Sequence, residues 1–117
     1  MTPAVAFFNQ KGGTAKTTST LNVGAAMAEQ GLRVLAFDLD PQASLTMALG
    51  IDVQSLPLSV YDLLVDETVA LAEVAQPTRI PGFDLVPSHP DLAAAELELL
   101  SELERERKLS LKLRAAQ

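Results

Sequence analysis

The sequence predicts an α/β domain: a doubly wound, mostly parallel sheet flanked by helices. Two apolar runs carrying β-branched and aromatic residues, Ala4–Asn9 and Arg33–Asp38, have the character of buried strands. A stretch of helical periodicity lies between them. Strand, loop, helix and strand in that order form a βαβ unit of about 35 residues, and such units pair their strands in parallel. The composition agrees with an ordinary globular chain, 48% hydrophobic and 21% charged over 117 residues, which excludes intrinsic disorder.

The first strand ends abruptly at Gln10-Lys11-Gly12-Gly13-Thr14-Ala15, which has no periodicity. Helical patterning runs from Lys16 to Gln30, with Leu21, Ala25 and Ala28 on one face and Gly31 placed as a C-cap. The second strand enters a loop at Leu39-Asp40-Pro41. Short helices are expected near Leu45–Leu49, at Val60–Val65 and near Val69–Val74, punctuated by Gly50, Pro57, Pro77 and Pro81. Phe83–Val86 is a third strand, stopped by Pro87. A longer helix is expected from Asp91 to about Arg107, with a stripe of Leu92, Leu99 and Leu103. No strand candidate follows residue 87, so residues 1–117 are expected to be the truncated N-terminal part of one domain.

Several classes of chemistry are excluded outright. Cysteine is absent, which removes disulfides, thiolate metal sites and cysteine nucleophiles, and His89 is alone. His89 and Tyr61 receive structural readings, the latter as a half-buried anchor. No apolar run reaches the roughly 18 residues that a membrane span requires. Met1 leads into Ala4-Val5-Ala6-Phe7-Phe8 without a basic leader, so a cytoplasmic location is expected. The net charge of −6 is uneven: residues 1–104 carry −10 and residues 105–117 carry +4. An acidic body disfavours nucleic-acid binding over the whole surface, and the basic tail is expected to be the solvated end of a helix.

The sharpest signal is Lys11-Gly12-Gly13-Thr14-Ala15-Lys16-Thr17-Thr18, set between a strand and a helix. Nucleotide phosphates need many hydrogen-bond donors and a positive field at close range. Glycines let backbone N–H groups approach the oxygens, and the helix start adds free N–H groups and the positive dipole end. Lys16 can reach the β- and γ-phosphates, and the Thr17 hydroxyl can ligate Mg²⁺. Ala15 stands where such loops carry glycine, and it is expected at negative φ, where its methyl group leaves the loop competent.

A second constellation, Asp38-Leu39-Asp40-Pro41-Gln42-Ala43-Ser44, follows the second strand. Carboxylates at a strand's C-terminal end point into the crevice where doubly wound sheets bind ligands. Near Mg²⁺ and a γ-phosphate, one can hold a metal-bound water and the other can orient the attacking water.

Together these segments resemble the ParA/MinD superfamily of P-loop NTPases. The first is similar to their deviant Walker A loop, and D-L-D-P-Q-A-S is closer to the ParA/Soj partition branch than to MinD. Asp84-Leu85-Val86-Pro87-Ser88 and the run from Asp91 to Leu99 carry the likeness further. The resemblance implies an ATPase that binds ATP or ADP with Mg²⁺ through Lys11, Gly12, Gly13, Thr14, Ala15, Lys16, Thr17 and Thr18. Lys11 would act across an ATP-bound homodimer, Asp40 would position the hydrolytic water, and Asp38 would sit in the Mg²⁺ shell beside Thr17. A ParB-like partner, non-specific DNA and nucleoid association are implied for the complete protein, with no membrane partner. A fragment without catalytic activity, a MinD-like ATPase and a small kinase are the competing readings.

Overall fold

The computed structural model describes residues 4–9, 14–40, 42–89 and 102–115. In chain order the elements are β1 (Ala4–Asn9), α1 (Thr14–Glu29), β2 (Arg33–Asp38), α2 (Ser44–Ala48), a 3₁₀ turn (Val53–Ser55), α3 (Val60–Val65), α4 (Leu71–Val74), β3 (Gln76–Pro77), β4 (Phe83–Val86) and α5 (Glu102–Ala115). The strands form one sheet in the order β1-β2-β4-β3. β2 pairs in parallel with β1 on one side and with β4 on the other. The parallel α/β expectation therefore holds. β3 adds an antiparallel edge of two residues, and its Pro77 has no N–H to extend the ladder.

Side chains alternate across a strand, and here both faces are buried in separate cores. Val34 and Ala36 of β2 join Phe83 and Leu85 of β4 on one face, under Leu21, Met27 and Ala28 of α1 and Leu45 of α2. Phe37 of β2 and Val86 of β4 face the other core, with Leu39, Val60, Tyr61, Leu63, Leu64, Leu71, Val74 and Leu109. Helices thus cover both faces, as a doubly wound sheet requires.

Local chemistry sets the element ends. Gly31, at φ 87°, closes α1 in a Schellman arrangement, with Gly31 N donating to the Ala28 carbonyl and Leu32 N to that of Met27. Ser59 opens α3 with a capping box: its hydroxyl accepts from Tyr61 N and Asp62 accepts from Ser59 N. At α4 the reciprocal half alone is made, Glu73 accepting from Ala70 N at 2.7 Å.

The boundaries correct the expectations at several points. α1 begins at Thr14, two residues before Lys16, and α4 begins at Leu71 because Asp66 draws Thr68 N–H and Oγ1–H into a turn. The part of the long C-terminal helix expected over residues 91–101, with Leu92 and Leu99, lies outside the described residues. Its described portion runs on to Ala115, past Arg107. Nor is the basic tail merely solvated. Leu109 is fully buried, and the Lys112 ammonium donates to the carbonyls of Asp66, Glu67 and Val69, clamping α5 to the turn after α3.

Helix α1 approaches β4 closely through Gly24. A Cβ built there would lie 2.3 Å from Phe83 Cε2. Gly24→Ala is therefore expected to destabilise the fold by about 1–2 kcal/mol, overpacking outweighing the gain of roughly 1 kcal/mol in helix propensity. Urea unfolding of this variant alone and combined with Phe83→Leu checks it: the smaller side chain should recover most of the loss.

Candidate functional site

The strand register determines what meets at the site. Asn9 pairs with Asp38, and Phe37 pairs with Val86. Strands β1, β2 and β4 therefore end on the same side of the sheet, where Leu39–Asp40 follows β2 and Pro87–Ser88 follows β4. In open parallel sheets this C-terminal end forms the ligand crevice.

Lys11, Gly12 and Gly13 lie outside the described residues. Thr14, Ala15, Lys16 and Thr17 occupy the first turn of α1, Thr17 buried and Thr18 exposed. Ala15 sits in helical backbone, where φ is negative. The strain falls elsewhere: among the described residues the one non-glycine at positive φ is Ala43, at φ 56° and ψ 38°. An alanine in that conformation costs on the order of 1–2 kcal/mol, so its surroundings must hold it there.

Asp38 does much of that holding. Its carboxylate is completely buried. Oδ1 accepts from Asp40 N at 3.1 Å, while Oδ2 accepts from Thr46 N at 2.9 Å and from Thr46 Oγ1 at 2.6 Å. Thr46 is the third residue of α2, whose N-cap, Ala43, has no side-chain acceptor. Asp38 thus serves as a remote N-cap, satisfying a helix N–H that Ala43 cannot. All three donors favour the ionised carboxylate. Burial outweighs them and pushes the Asp38 pKa up, with the nearby Asp40 charge adding in the same direction.

Asp40 is nearly buried. Its Oδ1 accepts from Gln42 N at 2.9 Å, and its carbonyl accepts from Ala43 N at 2.8 Å and from Ser88 Oγ at 2.7 Å. Ser88 N donates to Thr46 Oγ1 at 3.0 Å, and the Tyr61 hydroxyl lies 2.8 Å from Ser88 Oγ. Tyr61, expected to be half-buried, is only 1% exposed. Its hydroxyl finds a partner in the interior, which removes the need for water.

Thr46 and Ser88 are the site residues that the sequence reading did not single out. Ser88 had a usable signal, a hydroxyl just beyond a strand's C-terminal end. Thr46 sits between apolar neighbours on a short helix and carries no motif. His89 follows Ser88 and is half-buried. A separate pocket of about 370 Å³, lined by residues 67–72 with Lys112 and Ala115, contains none of the predicted site residues.

Comparison with known proteins adds the family. The AAA_31 family, described as an AAA domain, matches residues 2–117. The chain belongs to this family. It is the N-terminal region of a ParA/MinD-type P-loop ATPase domain. It is 40% identical over 111 residues to the sporulation initiation inhibitor protein Soj of Bacillus subtilis, covering 95% of this chain and 44% of that one. An uncharacterized Mycobacterium tuberculosis protein is 45% identical over 106 residues, 91% of this chain and 33% of that one. Among solved structures, cobyrinic acid a,c-diamide synthase from Mycobacterium smegmatis with bound ADP and magnesium is 44% identical. It superposes with a TM-score of 0.79 over 100% of this chain and 47% of its own. The AAA domain here therefore spans less than half the length of these relatives. Among the described residues, no helix is long and apolar enough to cross a membrane.

Two measurements probe the buried carboxylate of this AAA domain. Because the folded-state pKa of Asp38 is raised above 3.8, the folded protein binds that proton more tightly than the unfolded chain does. Its contribution to stability is fully present below the unfolded value and is lost as pH rises through the folded one. Denaturant melts from pH 7 to pH 4 should show the wild type gaining stability relative to Asp38→Asn, which cannot titrate. Thr46→Val strips a donor from Asp38 and an acceptor from Ser88 N. It should cost about 2–4 kcal/mol by the same melts, whereas Thr46→Ser should cost far less.

Proposed function

We propose that the chain is the nucleotide-binding portion of a ParA/Soj-like partition ATPase. The observation that carries this reading is the parallel register of β1 and β2, which sets Asn9 beside Asp38 at one end of the sheet, with Asp40 following in the loop. The phosphates of ATP would lie against the N–H groups of residues 11–16 and the start of α1, with Lys16 on the β- and γ-phosphates.

The donor set suits Mg²⁺ within limits. Thr17 is available on the first turn of α1. Thr46 occupies both lone pairs of Asp38 Oδ2, leaving one on Oδ1. Thr17 and Asp38 Oδ1 would therefore hold the ion, which neutralises charge on the phosphates when bound. Asp40 would orient the attacking water, its backbone already pinned by two hydrogen bonds to its carbonyl. Lys11 would reach the nucleotide of a second subunit, so that ATP drives dimerisation. DNA association, stimulation by a ParB-like partner and a cytoplasmic, nucleoid-associated location complete the reading for the whole protein.

Support comes from the Soj relative, from the ADP and magnesium held by the M. smegmatis structure, and from the D-L-D-P-Q-A-S wording. The likeness to a diamide synthase favours a second reading, in which ATP drives amide formation on a carboxylate substrate. ATP consumption that depends on such a substrate rather than on DNA would support it.

Mg-ATP titration with a sizing measurement tests the first reading. Lys16→Ala should lose binding sharply, whereas Lys11→Ala should retain it and lose both dimer formation and turnover. Equal, negligible binding by the wild type and both variants would leave the chain an inert fragment.

A further inference from the structure

Every proton in the hydroxyl cluster behind Asp40 has a determined direction. The Asp40 carbonyl only accepts, so Ser88 Oγ spends its single proton there, at 2.7 Å. Tyr61, 2.8 Å from the same oxygen, must then be the donor to Ser88. Likewise Thr46 Oγ1 gives its proton to Asp38 and accepts Ser88 N–H. Two directed chains result, Tyr61 to Ser88 to the Asp40 carbonyl, and Ser88 N–H to Thr46 to the Asp38 carboxylate. Tyr61, Ser88 and Thr46 are all at most 1% exposed, so water does not compete for these bonds.

The turn they hold has reason to move. Ala43 is in the left-handed region, and its N–H shares the Asp40 carbonyl with Ser88. A strained turn persists only where neighbours over-determine it. Ser88 is the one described side chain outside the 38–46 segment that grips the Asp40 backbone.

We infer that Ser88, oriented by Tyr61, is a positioning residue that fixes the Asp40 backbone at the mouth of the sheet and so sets where the Asp40 carboxylate points. The inference rests on the proposed role of Asp40 toward the hydrolytic water. Ser88 touches no phosphate in this scheme. It acts through Asp40, so its loss should move turnover and leave nucleotide affinity alone.

The test uses Ser88→Ala, Tyr61→Phe and Asp40→Asn in the full chain. Mg-ATP affinity, steady-state ATP turnover and amide hydrogen exchange of Asp40, Gln42 and Ala43 are read for each. Ser88→Ala should lower kcat by on the order of tenfold or more, as a misplaced reacting geometry does, with affinity unchanged. It should also speed exchange of the three loop amides. Tyr61→Phe keeps the ring volume and should produce a smaller effect of the same kind, carrying the test if Ser88→Ala does not fold. Wild-type kcat and wild-type loop exchange in both variants would overturn the inference. Asp40→Asn turning over like the wild type would instead overturn the role of Asp40. If the wild type shows no turnover, unchanged loop exchange in both variants still overturns the inference.

Discussion

A single buried carboxylate organises the C-terminal end of the parallel sheet. Asp38 ends β2 with no solvent to stabilise its charge, and burial alone would make the ionised form untenable. Three donors offset part of that cost, and each comes from a segment that must be placed. Asp40 N–H belongs to the loop, and Thr46 supplies the first helical turn of α2 twice over. The carboxylate therefore templates the path of the chain from strand to loop to helix. Its charge is satisfied only when all three segments are in their native positions.

The influence of that anchor extends across the sheet. Thr46 passes it to Ser88 at the end of β4, and Val60 N donates to the Pro87 carbonyl at 2.7 Å, drawing the start of α3 to the same edge. Tyr61 then closes the cluster from α3. A polar network of this kind is stable in the interior because the Ser88 and Thr46 hydroxyls each donate and accept, and Tyr61 spends its one hydroxyl proton on Ser88. Removing one member would expose the others to an unpaired, buried state. Away from this end the domain is held by ordinary means, with apolar cores on both faces of the sheet and one ammonium securing α5.

Much of this was legible in the residues. The limits of β2, α3 and β4 follow from apolar runs and from stops such as Gly31, Pro57 and Pro87, because those signals act within a few positions. The Asp38–Asp40 pair could be placed at a strand end because it closes the apolar run Arg33–Asp38. Other features could not be read locally. β3 is two residues long, too short to show any period. Ser88 meets Asp40 across 48 positions because β2 pairs with β4, and Thr46 meets Asp38 across eight because the loop turns back into α2. A tyrosine ordinarily keeps its hydroxyl near water, which favours a half-buried reading of Tyr61, and the fold provides Ser88 instead. The positive φ at Ala43 is invisible in a residue type that rarely adopts it.

Strand β2 serves two masters at once: its even-numbered apolar residues, Val34 and Ala36, fill one core while Phe37 fills the other. Deleting or inserting one residue there would turn each side chain to the opposite face. The same slip would slide the terminal aspartate off its alignment with Asn9. Packing thus acts as a proofreading device for chemistry, since a chain with the acid misaligned would also be a chain with both of its interiors turned inside out.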